Sequence, residues 1–176
     1  MKKICLLFVG CLVLTNLAKA QNKPVIIGYV GGFKGLITVN VSPKKLSVIN
    51  YAFVDIKDNR AWLQNEKTDT VNFRKLNELK IINPDLKILI SIGGWTWSKH
   101  FYDAVLTDTS TQNFAQSAVD IVSKYELDGV DIDWEYPGMI GDSNVYRSED
   151  RTHYTNLFKN LREKLDALGE QTNKKY

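Results

Sequence analysis

The stretch Asp128-Gly129-Val130-Asp131-Ile132-Asp133-Trp134-Glu135-Tyr136-Pro137 decides how this chain is read. Apolar and acidic residues alternate in it with period two, which is a strand signal. Residues i, i+2 and i+4 of a strand share a face. Asp131, Asp133 and Glu135 therefore point one way, and Val130, Ile132 and Trp134 the other. Successive carboxylates, roughly 6 to 7 Å apart by strand rise, repel one another, and a sheet built for stability alone would not carry three. Like charges push one carboxyl pKa up, so the pattern predicts a group that keeps its proton towards neutral pH. Such a group is a general acid. An EF-hand loop would need glycine at the sixth position from Asp131, where Tyr136 stands. A magnesium-binding or glycosyltransferase-type acidic pair is an alternative that the spacing leaves open. A solvated edge strand fits poorly with the aliphatic residues beside the acids.

The N-terminus reads as a separate segment. Lys2-Lys3 is a basic start, and Ile4 to Leu14 is an apolar run too short to span a bilayer. Ala18-Lys19-Ala20 is a small-x-small cleavage pattern. Residues 1–20 are expected to be a secretory signal, with an uncleaved anchor as the alternative, and residues 21–176 the folded part. The expected destination is secreted or periplasmic. Both cysteines, Cys5 and Cys11, lie inside the signal, so neither disulfides nor thiolate metal sites are expected beyond it. The signal also holds Lys2, Lys3 and Lys19 and no acid. Taking these from the 23 basic residues leaves a balance with the 20 acidic ones. The basic pI therefore says nothing about a nucleic-acid partner. No basic stripe, phosphate loop or amphipathic membrane helix is present, so neither nucleic acid nor, after signal cleavage, a membrane is expected as partner.

Beyond the signal, strand and helix patterns alternate. Val25 to Val30 is a strand closed by Gly31-Gly32, and Ser47 to Val54 a second. Residues 55–70 are polar and read as a long loop, with Trp62 as a possible anchor. Val71 to Ile82 has helical spacing and stops near Asn83-Pro84. Leu86 to Ile92 is apolar almost throughout, as a strand covered on both faces should be. Ser110 or Thr111 is placed to cap a helix with Phe114, Ala118, Val119, Ile121, Val122 and Tyr125 on one face. The acidic strand follows, then a loop from Gly138 to about Ser148. A last helix has Tyr154, Leu157, Phe158, Leu161, Leu165 and Leu168 on one face. This alternation implies βαβ units and a parallel sheet. Polar and aromatic residues cluster at strand ends, where the active sites of (β/α)₈ barrels lie. The fold expected is α/β of the (β/α)₈ TIM-barrel class.

The acids Asp128, Asp131, Asp133 and Glu135 match the pattern Asp-x-x-Asp-x-Asp-x-Glu, which resembles the active-site signature of glycoside hydrolase family 18, the chitinase family. Ser91-Ile92-Gly93-Gly94-Trp95 resembles that family's Ser-x-Gly-Gly signature. Asn50-Tyr51-Ala52-Phe53 and Gly28-Tyr29 resemble its strands two and one. The resemblance runs from about Val25 to the last helix but covers only the first four of eight β/α units. A barrel of this class takes about 250 residues. The expectation is thus the N-terminal half of a catalytic barrel, inactive by itself.

Glu135 lies nearest the C-terminal end of its strand, reaches the rim and is assigned as the general acid. The resemblance implies hydrolysis of β-1,4-N-acetylglucosamine linkages in chitin, with retention, the substrate's 2-acetamido oxygen acting as nucleophile. It also implies that Asp133 orients that acetamido group and that Asp131 shares a proton or hydrogen bond with Asp133. Tyr29 and Ser91 would hydrogen-bond to Asp131, and Asp128 would be structural. Gly93 and Gly94 leave room beside the acids. Trp95, Tyr136 and Phe53 are candidate platforms for the flat faces of sugars, whereas Trp134 is read as core. His100 and His153 are too far apart for a metal motif and are expected on the surface. Neither metal nor organic cofactor is implied. The expected ligands are chitin or chito-oligosaccharides, with no obligate protein partner. Two rival readings are an endo-β-N-acetylglucosaminidase acting on N-glycans and a chitinase-like lectin with a dead site. Such lectins usually lose the acid, and Glu135 is present.

Overall fold

The computed structural model describes residues 24–34 and 41–176. The expected signal, residues 1–20, lies outside them. Four parallel strands form one sheet in the order β1 (Ile27–Gly31), β2 (Val48–Lys57), β4 (Lys87–Gly93) and β5 (Gly129–Asp133). A short β3 (Arg60–Trp62) pairs antiparallel with the far end of β2. The parallel register sets Gly31, Ala52, Ser91 and Asp131 in one row, and Tyr29, Asn50, Leu89 and Gly129 in another. Residues in register share a face, so these rows line one concave surface of the sheet.

The opposite face is the core. Ile49 and Tyr51 of β2, Ile88, Ile90 and Ile92 of β4, and Ile132 of β5 are buried there. Three helices cover them: α1 (Glu66–Glu78), α4 (Asp108–Lys124) and α5 (Asp150–Thr172). They contribute Phe73 and Leu76, Phe114, Ala118 and Val122, and Leu157, Leu161 and Leu165. Apart from Ala118, each of these side chains contributes about 1.5–3 kcal/mol by leaving water. Two short helices, α2 (Gly94–Trp97) and α3 (Phe101–Ala104), fill the passage from β4 to α4. Among the described residues no helix is long and apolar enough to cross a membrane.

Several local expectations need correction. The polar run 55–70 is not a loop. It holds the end of β2, a two-residue turn, β3 and the start of α1. Asp58 and Asn59 in that turn have φ of 51° and 57°, the left-handed pair that a tight hairpin requires. Helix α1 begins at Glu66 because the Asn65 side chain accepts from the Thr68 amide. Thr107, not Ser110 or Thr111, caps α4, and Ser110 returns the bond in a capping box. Phe158 of α5 is 49% exposed, while Leu157, Leu161, Leu165 and Leu168 form the buried stripe. His100 and His153 are both half-buried rather than on the surface. His100 Nδ1 lies 3.1 Å from Asp55 Oδ1.

Candidate active site

The C-terminal ends of the strands carry the acids. Asp131 and Asp133 stand on the concave face of β5, which ends at Asp133, so Glu135 follows outside the strand. Tyr29 OH donates to Asp131 Oδ2 at 3.0 Å, and Ser91 Oγ donates to the same oxygen at 2.7 Å. Both hydrogen bonds expected at Asp131 are thus present, one from β1 and one from β4. No hydrogen bond between Asp131 and Asp133 is present among the described residues. Burial lifts the Tyr29 phenol above its ordinary value; the Asn50 side chain opposes this, and Asp131 reinforces it.

Asp133 is the carboxyl that the site shifts upward. Partial burial is the main cause, and the charges of Glu135 and Asp131 add to it. Glu135 itself is exposed at the rim.

Asp128 belongs to the opposite end of the strand. Its carboxylate is buried and accepts from the Ile88 amide at 2.8 Å. Lys80, Lys174 and Lys87 pair with it at 2.5, 2.9 and 3.7 Å. Burial alone would raise this carboxyl, but Lys80, the Ile88 amide and Lys174 outweigh it and hold the group below its ordinary value. Its role is structural, at the end of the sheet remote from the rim.

Two glycines let β4 meet the site. Gly93 has φ 112°, and a side chain there would collide with the Asp133 carbonyl. Gly94 has φ 74°, and a Cβ would come within 2.9 Å of the Phe53 ring. Phe53 sits at a break in the β2–β4 register, between the pairs Ala52–Ser91 and Val54–Ile92. Its ring reaches over Gly94 and meets Trp97 edge-on at 6.5 Å. Phe33, Phe53, Gly93, Gly94, Trp95 and Trp97 line an apolar cleft of about 350 Å³, with Gln64 and Thr96. Trp95 is 56% exposed.

The aromatic assignments divide. Trp134 is buried, stacked on Phe101 at 5.1 Å and edge-on to Tyr154 at 5.4 Å. Tyr136 is buried too and offers no open face to a sugar, which corrects its reading as a platform. Gly141, lacking a side chain, lies against its ring. The Tyr136 hydroxyl donates to the Trp95 carbonyl at 2.8 Å, and the two rings meet edge-on at 5.3 Å. Tyr136 therefore props Trp95.

Sequence reasoning missed Trp97, Asn50 and Ser98. Trp97 carried a usable signal, an aromatic two residues beyond Trp95 after a glycine pair. Ser98 carried none: it lies 1% exposed, and its contacts join segments 35 and 37 residues apart. Among the described residues no group of three or more His, Cys, Asp or Glu side chains is arranged to hold a metal ion.

Residues 25–176 match the family described as glycosyl hydrolases family 18. The chain belongs to that family. It is 37% identical over 209 aligned residues to chitinase A1 of Niallia circulans, covering 90% of this chain and 30% of that protein. A family 18 N-acetylglucosaminidase from Paenibacillus barengoltzii superposes with a TM-score of 0.76 at 36% identity, over 86% of this chain and 43% of that one. Human YKL-39, described as a pseudo-chitinase that retains chitooligosaccharide binding, superposes with a TM-score of 0.72 at 27% identity. That match covers 86% of this chain and 41% of YKL-39. The chain thus spans less than half the length of these family 18 relatives, and its parallel sheet with covering helices is part of the family's (β/α)₈ barrel.

Proposed function

We propose that this site, once the barrel is complete, hydrolyses β-1,4 linkages between N-acetylglucosamine units of chitin, with retention and with the substrate's acetamido group as nucleophile, the four-strand part being inactive by itself. The observation that carries this reading is the division of the acids. Asp131 is fixed by Tyr29 and Ser91, whereas Asp133 is pushed upward and Glu135 stands exposed beside it. Of the carboxylates on the concave face of the described strands, Asp55 of β2 is taken up by the Ile56 amide, Gln64 and His100, which leaves Asp131 and Asp133 of β5. A usual retaining glycosidase needs a separate nucleophilic carboxylate about 5–5.5 Å from the acid, and the substrate-assisted route does not.

In this mechanism Glu135 gives its proton to the glycosidic oxygen as the bond to the anomeric carbon breaks. The acetamido carbonyl oxygen attacks that carbon and closes an oxazolinium ring, whose positive charge Asp133 faces. Water then opens the ring, and Glu135 takes back a proton. Trp95 supplies the stacking surface, and the name of the N. circulans chitinase supports the substrate class. YKL-39 supports a second reading, binding without hydrolysis; the presence of Glu135 at the rim favours the enzyme.

Proton NMR of fresh products from N-acetyl chito-oligosaccharides tests the reading. The β anomer is expected, with no cleavage of unsubstituted glucan. An α anomer, or equal cleavage of both polymers, overturns it. Export belongs to the same proposal: the secreted protein should begin at Gln21, which N-terminal sequencing reads.

A further inference from the structure

The backbone that carries Glu135 leaves the sheet at Asp133, so ladder hydrogen bonds no longer hold it. One side chain replaces them. Ser98 Oγ donates to the Asp133 carbonyl at 2.9 Å and accepts from the Glu135 amide at 3.0 Å. A single hydroxyl thus spans the two residues and satisfies both backbone groups, using the serine's one donor and one of its two acceptor lone pairs. Ser98 itself cannot drift. It is 1% exposed and lies in the 3-10 turn between α2 and α3, next to Phe101, which is fully buried against Trp134. Gly93 closes the other side, since its Cα approaches the Asp133 carbonyl too closely for a side chain.

We propose that Ser98 is the positioning residue of the acid: it sets the direction in which the chain leaves β5 and so the place of the Glu135 carboxyl at the rim. The inference rests on the reading of Glu135 as the general acid. It adds a residue in α2–α3 that touches no substrate and acts only through the backbone of the acid. A displacement of about 1 Å at a reacting group is enough to lower turnover roughly 10²-fold. Substrate affinity, which Trp95 and the cleft supply, should change little.

The test compares Ser98→Ala, Ser98→Thr and Glu135→Gln in a version of the protein that completes the barrel, because the four-strand part is expected to be inactive by itself. In Ser98→Ala, kcat on a chito-oligosaccharide should fall about 10- to 100-fold with KM within about threefold. Ser98→Thr keeps the hydroxyl and should recover most of the loss. In the Glu135→Gln background, Ser98→Ala should change the residual rate hardly at all, because it acts through the group already removed. Hydrogen exchange supplies an arm independent of activity: the Glu135 amide should lose protection in Ser98→Ala while amides of β4 keep theirs. An unchanged kcat in folded Ser98→Ala, or an equal loss in both backgrounds, overturns the proposal. So does a Glu135 amide that stays protected without Ser98. If the wild type hydrolyses nothing, the chitinase reading fails by itself, and the exchange arm alone decides whether Ser98 fixes the acid's backbone.

Discussion

Ser91 Oγ donates to Asp131 Oδ2 at 2.7 Å across the β4–β5 pair, one pleat below the end of the strand. Tyr29 adds a second donor to the same oxygen. Asp131 is thereby an anchor between three elements, and the two acids beyond it are left for chemistry. Ser91 is fully buried, whereas Tyr29 is 56% exposed. Ser91→Ala should therefore cost about 1–2 kcal/mol of stability and Tyr29→Phe less. Because both act on one oxygen, the double variant should depart from additivity. Denaturant unfolding of the four proteins measures this, and simple additivity would count against a shared anchor.

Glu135→Gln keeps the shape of the side chain and removes the transferable proton. In a version of the protein that completes the barrel, hydrolysis should drop by roughly 10²–10⁴-fold while binding of chito-oligosaccharide to Trp95 and the cleft persists. Calorimetry and a turnover assay on the same preparation separate the two. Near-normal turnover would remove Glu135 from the role.

The raised carboxyl of Asp133 makes a prediction about pH. Its folded pKa lies above the ordinary value of 3.8, so the folded state prefers the protonated form. Its contribution to stability is fully present below the ordinary value and is lost as pH rises through the folded one. Asp133→Asn should therefore melt above the wild type at pH 7, and the gap should close as pH falls towards 3.8. A wild type that is the more stable at pH 7 would contradict the assignment of repulsion and burial at this site.

Among the described residues, β1 and β5 each have one neighbour in the sheet. Val25, Ile26 and Ile27 near the β1 edge are 70%, 48% and 54% exposed. Unpaired backbone beside apolar side chains invites association. The 176-residue chain should elute larger on size-exclusion chromatography as its concentration rises. Elution as a monomer at every concentration would show that both edges are protected.

The part of this molecule that was legible in the sequence is the part governed by short periods. The alternation in β5 put Asp131 and Asp133 on one face and Ile132 and Trp134 on the other, and the register agrees. The β2–β3 hairpin was overlooked because residues 55–62 lack an apolar run; the signal was the Asp58-Asn59 pair, two residues that tolerate positive φ. Tyr136 was a candidate platform as an aromatic residue close to the acids. What buries it is Gly141, five residues on, and a carbonyl on another strand's exit, which no local pattern announces. Ser98 was invisible for the same reason: its partners are backbone atoms, which have no residue identity.

Asp128 gives the acidic motif an unequal meaning for genetics. A carboxylate held by three lysines keeps its stabilising effect above its ordinary pKa and loses it as acid protonates it. Asp128→Asn should cost about 2 kcal/mol near neutrality and less at low pH. In a colony screen that scores clearing of chitin, such a variant would be indistinguishable from a change at Glu135. Dividing the signal by the amount of folded protein separates them: the Asp128 variant would show fewer molecules at undiminished specific activity, and the Glu135 variant a full complement of molecules that turn nothing over.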